Sequence, residues 1–169
     1  SRFSAGANGR LSRYPLAVQF ALPERWRDDR DFPRTLDELR AAGLAGVELT
    51  VADPFSLDWP GLLALLRDHG LALFRFASGL TAKSRGLSLS AADESVRAAS
   101  VAACRDMLRI LGGTGAGIII GYLKGPAAPD REAARARFAD SLAALAPDAA
   151  AHGVPLVVEA TNRYESSVA

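Results

Sequence analysis

Cysteine and histidine are scarce in this chain of 169 residues, and their scarcity excludes several kinds of site. The single cysteine, Cys104, allows neither a disulfide framework nor a thiolate cluster for zinc, and it indicates a reducing, cytoplasmic location. The two histidines, His69 and His152, each close a predicted helix, where an imidazole suits the negative end of the helix dipole. We therefore predict that neither histidine is catalytic and that Cys104 packs in a helix core.

Charge of one sign and long apolar runs are also missing. The 20 basic and 19 acidic residues leave a net charge of +1, which indicates neither a nucleic-acid surface nor a binder of anionic membranes. The longest nearly uncharged apolar stretch, residues 115–123, is far too short to span a bilayer. We expect neither nucleic acid nor a membrane as partner.

Two common motifs of enzyme sites are absent as well. The glycines of residues 112–117 precede a predicted strand, whereas a dinucleotide-binding loop follows a strand and opens a helix. The Gly-x-Ser-x-Gly nucleophile elbow does not occur. The sequence therefore predicts no nucleotide cofactor.

A repeated unit of helix, glycine, apolar strand and polar loop does run through the chain. The strands are too uniformly apolar to leave one face in water, which indicates a parallel sheet covered by helices. Residues 1–14 are predicted to be a flexible tail, and residues 78–86 a long polar loop. Strands are predicted at 16–22, 46–51, 71–77, 115–122 and from Val154; helices at 33–42, 59–69, 90–111 and from Asp130, where Pro147 should kink or shorten the last helix.

Five strands and four helices leave two architectures open. A closed (β/α)8 barrel needs eight of each and roughly 250 residues. The pattern therefore fits either a doubly wound open sheet or a little over half of a barrel. In both, the carboxyl ends of the strands face the ligand.

The predicted strand ends bring together a set of polar residues. Glu159 ends the last apolar run, and Asn162, Arg163 and Glu165 follow closely. Two carboxylates at this edge, Glu48 and Glu159, would repel each other unless a divalent cation, a proton or a base relieved the repulsion; Lys124 and Arg163 are the candidate bases. Glu48 has an alternative role as a cap or ion-pair partner of a neighbouring loop. The full set is Gln19 or Phe20, Glu48, Ser78, Gly79, residues 121–124 and Glu159, while Trp26 either walls a pocket or packs locally.

The segment Glu-Ala-Thr-Asn-Arg-Tyr-Glu at 159–165 resembles a motif of the xylose isomerase-like TIM-barrel sugar isomerases and epimerases, borne most clearly by the ketose 3-epimerases. The stretches at 46–49, 78–79, 86–90 and 118–125 match in the same order, so that the resemblance covers residues 15–169. It implies a partial TIM barrel, the N-terminal part of such a domain. Ala160-Thr161 replaces the common Pro-Leu of the motif.

The resemblance also implies site residues and a reaction. Glu159 matches a metal-binding glutamate that serves as one of two acid/base carboxylates, and Glu165 matches a glutamate that hydrogen-bonds the substrate. The family takes an Asp, a His and a second Glu from later strands, which this chain lacks. Proton transfer beside a sugar carbonyl needs a positioned base and a Lewis acid, here Mn²⁺ or Mg²⁺.

We therefore expect the parent protein to be a metal-dependent sugar isomerase or epimerase. Glu159 is the expected catalytic residue and metal ligand, and Glu165, Asn162 and Glu48 are expected to bind the small sugar substrate. A homo-oligomer is left open. The alternatives are other chemistry on the same barrel, of the inosose dehydratase or endonuclease IV type, and an inactive fragment or scaffold.

Overall fold

The computed structural model describes residues 14–160 together with residues 166 and 168. The predicted tail, apart from Tyr14, and the predicted site residues Asn162, Arg163 and Glu165 lie outside the described residues. The strands are β1 (Ala17–Ala21), β2 (Gly46–Thr50), β3 (Ala72–Ala77), β4 (Gly117–Ile120) and β5 (Leu156–Val158). The α-helices are α1 (Asp31–Ala41), α2 (Trp59–Asp68), α3 (Gly79–Arg85), α4 (Glu94–Leu111) and α5 (Arg131–His152).

The five strands form one sheet, and their order decides between the two predicted architectures. Every neighbouring pair is parallel, and the strands follow one another in chain order from β1 to β5. A doubly wound sheet reverses its strand order at a switch point, whereas a barrel adds each strand beside the last. The fold is therefore a partial TIM barrel, and all five strands end at the same edge.

The two faces of the sheet differ in burial. Leu49, Phe76 and Ile118 alternate with more accessible neighbours and are fully buried in one core with the apolar side chains of the helices. Each such side chain contributes roughly 1.5–3 kcal/mol when removed from water. The opposite face carries Glu48, which is half-buried, and Val157, which is exposed. Since a closed barrel turns one sheet face toward its axis, this second face is the barrel interior.

The segment after β3 forms α3, not the predicted polar loop. Thr81 Oγ1 donates to the carbonyl of Val51 at 2.6 Å, and Ser84 Oγ donates to that of Ala52 at 3.0 Å. These bonds dock the segment on the loop after β2, and Gly86 ends the helix in the left-handed conformation (φ 65°). The described residues therefore hold five α-helices, one more than predicted.

Two helix boundaries also differ from the predictions. Helix α4 begins at Glu94, because the Asp93 carboxylate accepts from the amides of Ser95 and Val96, whereas Ser90 is buried before the helix. Helix α5 is not shortened by Pro147 and continues to His152. Arg105 of α4 braces this turn by donating to the carbonyl of Ala144 at 3.2 Å.

In the part of the chain that the structure describes, no helix combines the length and hydrophobicity needed to cross a bilayer.

Candidate active site

Glu159 stands directly after β5, at the edge where the strands end. Its amide donates to the carbonyl of Ile120 at 3.1 Å, which extends the pairing between β4 and β5 by one step. The residue is exposed at this edge of the sheet. The predicted position of Glu159 at a strand end is therefore confirmed, while its role stays a prediction.

Gly121 makes room for this carboxylate. A 3-10 turn, Tyr122–Lys124, follows β4, and Gly121 precedes that turn. A Cβ atom at position 121 would overlap Oε2 of Glu159. The space beside this strand-end glycine thus holds a glutamate side chain of the protein itself.

The side chain of Lys124 reaches Glu159 from the interior of the protein. Its side chain is buried, and Nζ donates to the backbone carbonyl of Glu159 at 2.6 Å. Burial lowers the pKa of the Lys124 ammonium, and the Glu159 charge opposes that shift. The structure thus brings together Lys124 and Glu159, two of the residues that the sequence assigned to this edge.

Glu48 lies elsewhere on the same sheet. It is the third of five residues in β2, where it is level with Arg75 of β3, and is not at the strand end. Across the sheet, Thr50 pairs with Ala77, Ala77 with Ile119, and Ile119 with Val157. Glu48 lies two residues before this level and Glu159 lies two residues after it, so that Glu159 is four residues further along the strands. At about 3.3 Å per residue this separates the two levels by about 13 Å along the strands. The two carboxylates are not brought together, and the substrate-binding role of Glu48 stays a prediction.

Other members of the predicted set have structural positions. Ser78 is buried, and its hydroxyl donates to the carbonyl of Ile119 at 2.7 Å, where it ties β3 to β4. Gln19 is level with Glu48, within β1 and not at its end. His69 closes α2 and its Nδ1 lies 2.6 Å from Oδ1 of Asp37, while His152 ends α5. Burial raises the pKa of the Cys104 thiol to about 12. This burial agrees with the prediction that Cys104 packs in a helix core.

A cleft opens between the loops after β1 and β2. It has a volume of about 680 Å³, and residues 21–28 and 51–58 supply most of its wall. Trp26 lines this cleft with only 8% of its surface exposed, and the Arg27 guanidinium lies 5.1 Å from its ring centroid. Arg27 also pairs with Asp58 across the cleft. Trp26 therefore both walls a pocket and packs locally, which covers the two alternatives the sequence left open.

Sequence reasoning missed the segment that supports Lys124. The amides of Leu89 and Ser90 donate to the carbonyls of Leu123 and Lys124 at 2.9 and 3.1 Å. This places residues 87–90 alongside the 3-10 turn, where Ser90 Oγ lies against Gly125. The repeated Leu-Ser pattern at 87–90 was the available signal, because alternating apolar and polar residues are typical of extended backbone.

The described residues hold one carboxylate of the predicted metal site, not the whole site. No three His, Cys, Asp or Glu side chains among residues 14–160, 166 and 168 cluster closely enough to hold a metal ion. Glu159 is nevertheless an accessible oxygen donor, the ligand type that Mn²⁺ and Mg²⁺ prefer. It fits one position in the coordination of such an ion.

Comparison with solved structures shows the same fold in several sugar epimerases. L-ribulose 3-epimerase superposes with a TM-score of 0.68 at 24% identity, covering 90% of this chain and 51% of that one. The 3-keto-D-glucoside 4-epimerase of E. coli gives 0.66 at 16% identity, with 88% and 57% covered. The AP endonuclease, family 2, of Brucella melitensis gives 0.64 at 20% identity, with 89% and 57% covered. The chain thus spans a little over half the length of the structures it resembles.

Sequence comparison is consistent with this result. No curated protein matches the chain significantly. A family profile, however, described as xylose isomerase-like TIM barrel, matches residues 36–169. That match covers most of the chain and agrees with the sequential parallel sheet, so the chain belongs to the xylose isomerase-like TIM barrel family.

Proposed function

We propose that the protein containing this chain is a metal-dependent sugar isomerase or epimerase that transfers a proton at a carbon next to a carbonyl. The observation that carries the proposal is the position of Glu159, an exposed carboxylate at the edge where the strands end, with its backbone amide and carbonyl both hydrogen-bonded. Solved relatives with this fold include L-ribulose 3-epimerase and D-psicose 3-epimerase, which supports a small sugar as substrate.

Each predicted site residue has a role in this proposal. Glu159 is a ligand of the divalent ion and one of the two carboxylates that remove and return the proton. Glu165 and Asn162 hydrogen-bond the sugar, and Glu48, lower on the barrel interior, contacts the substrate from beneath. The remaining ligands, an Asp, a His and a second Glu in the family that the chain resembles, come from outside this chain.

The metal and the carboxylate have separate tasks. A bound Mn²⁺ or Mg²⁺ supplies a Lewis acid that stabilises negative charge developing on the carbonyl oxygen. Glu159 holds or releases a proton at the adjacent carbon, which requires its carboxylate to be accessible and fixed in direction. Hydrogen bonds to both backbone groups of Glu159 hold the main chain from which this side chain extends, which supports the second requirement.

Substitution of Glu159 by glutamine in the full-length protein tests this function. We expect Glu159→Gln to abolish turnover of ketoses while leaving the thermal unfolding temperature unchanged, because the side chain is exposed. Glu38→Gln is the matched control, since Glu38 is an exposed glutamate on α1 whose ion pair with Arg34 at 3.4 Å contributes little. Turnover by Glu159→Gln equal to that of the wild type would contradict the assignment.

A second candidate function is DNA repair, because the AP endonuclease, family 2, of Brucella melitensis shares the fold. Such an enzyme needs a basic groove as wide as DNA and a histidine-rich metal site, whereas this chain has a net charge of +1 and two histidines at helix ends. Titration of the full-length protein with abasic duplex DNA discriminates the two candidates. Tight binding that weakens steeply with salt would favour the nuclease; its absence favours the sugar enzyme.

A further inference from the structure

Lys124 is a charged side chain buried completely inside the domain. Its exposed fraction is 0%, and no other charged residue among those that the structure describes is buried. Burial of an ammonium group costs several kcal/mol unless hydrogen bonds and opposite charge compensate. A methionine of similar length would fill the same volume without that cost. The buried charge therefore calls for an explanation beyond packing.

The hydrogen bond of Lys124 reaches the backbone of Glu159. Nζ lies 2.6 Å from the Glu159 carbonyl oxygen, a short distance typical of a charge-assisted bond. The Glu159 amide donates on its other side to Ile120 at 3.1 Å. Both peptide groups that flank the Glu159 Cα are thereby held, one by β4 and one by Lys124. The side chain that leaves this Cα then has its starting direction set.

Lys124 is itself held firmly. Its amide donates to the carbonyl of Gly121 at 3.0 Å, and its carbonyl accepts from the amide of Ser90 at 3.1 Å. The carbonyl of Ser90 accepts in turn from Nε of Arg137 at 2.9 Å, which ties this segment to α5. The backbone of Lys124 is thus linked to the helix layer through Ser90 and Arg137. Its ammonium links the same residue to Glu159 at the end of β5.

We propose that Lys124 is a positioning residue for Glu159. This inference rests on the metal-binding role proposed above for the Glu159 carboxylate. Lys124 fixes the peptide plane after Glu159, so that the carboxylate stays beside Gly121. Lys124 acts through the peptide group of Glu159. Its effect on the site passes through the orientation of Glu159.

Manganese binding to the full-length protein provides the test, with isothermal titration as the readout. We expect Lys124→Met to weaken Mn²⁺ binding by roughly 10-fold or more, the range found when a group that orients a metal ligand is removed. Lys83→Met is the matched control, because Lys83 is the other lysine of the chain and lies exposed on α3. We expect its affinity to equal that of the wild type.

A second pair of variants separates positioning from a general structural role. In a Glu159→Gln background the carboxylate is gone, so Lys124→Met should lower Mn²⁺ affinity by less than about twofold, since the two residues act as one unit. Equal losses in both backgrounds would show that Lys124 only supports the fold and would overturn the proposal. If Lys124→Met does not fold, Lys124→Gln, which keeps a polar group without the charge, is measured in the same way with the same expectation.

The outcomes distinguish this inference from the function on which it rests. Unchanged Mn²⁺ affinity in Glu159→Gln would refute the metal-binding role of Glu159 and with it the proposed function. Weakened affinity in Glu159→Gln together with unchanged affinity in Lys124→Met would refute the positioning role alone.

Discussion

The carboxylate of Glu159 occupies the space beside the Cα of Gly121 that a side chain at position 121 would need. A side chain at position 121 would therefore displace this carboxylate from its place beside the neighbouring strand end. The relationship couples the end of β4 to the candidate catalytic residue after β5.

Gly121→Ala should displace the Glu159 carboxylate. Its Cβ would overlap Oε2, so the glutamate must turn away and the full-length protein should lose more than about 10-fold in both turnover and Mn²⁺ affinity. Gly79→Ala is the control, since the nearest atom to a Cβ there is Cβ of Tyr122 at 3.6 Å, an ordinary contact. Equal kinetics for the wild type and Gly121→Ala would contradict the steric argument.

Trp59→Phe should destabilise the protein through one lost hydrogen bond. The indole Nε1 donates to the carbonyl of Pro54 at 2.8 Å in a buried position, while the ring packs edge-on against Phe76 with centroids 5.9 Å apart. Phenylalanine keeps an aromatic ring but leaves the carbonyl unpaired, at a cost of about 1–3 kcal/mol. Urea unfolding measures this loss. A change in unfolding free energy close to zero would mean that water replaces the indole.

Cys104 should be inert toward thiol reagents in the folded protein. Burial raises the pKa of its thiol to about 12, so the reactive thiolate is negligible at pH 8. We expect the peptide that contains Cys104 to remain unlabelled by iodoacetamide at pH 8 and to become fully labelled in urea, as followed by mass spectrometry. Rapid labelling without denaturant would show that α4 opens readily.

Asp93 should make the stability of α4 depend on pH. The Ser95 hydroxyl, followed by the amides of Ser95 and Val96, holds the pKa of the Asp93 carboxyl below its usual value. A carboxyl whose pKa is lowered by folding stabilises the protein above about pH 4 and loses that contribution as the pH falls through the lowered pKa.

Asp93→Asn isolates that contribution, because asparagine also caps helices well but does not titrate. We expect the variant to lose less stability than the wild type when thermal unfolding is compared at pH 6 and pH 2.5. Identical losses in the two proteins would show that Asp93 contributes nothing to the pH dependence.

The sequence predicted most of the framework because that information is local. Apolar runs of strand length, four of them preceded by a glycine, located all five strands within two residues at each end. The same local signal located Glu159 after β5. Helix α3 was missed because Thr81 and Ser84 look polar and exposed in isolation, whereas in the fold they donate to the loop after β2.

The sequence by itself determined that the strands are parallel, that helices cover them, and that a carboxylate follows the fifth strand. Only the tertiary structure decided the sequential strand order, the level of Glu48 well below Glu159, and the contacts of Glu159 with Gly121 and Lys124. The physical reason is the separation along the sequence between the residues that interact. Periodicity reports which residues one element buries, but strand register and the contact between Lys124 and Glu159, which are 35 residues apart, arise only when separate elements pack together.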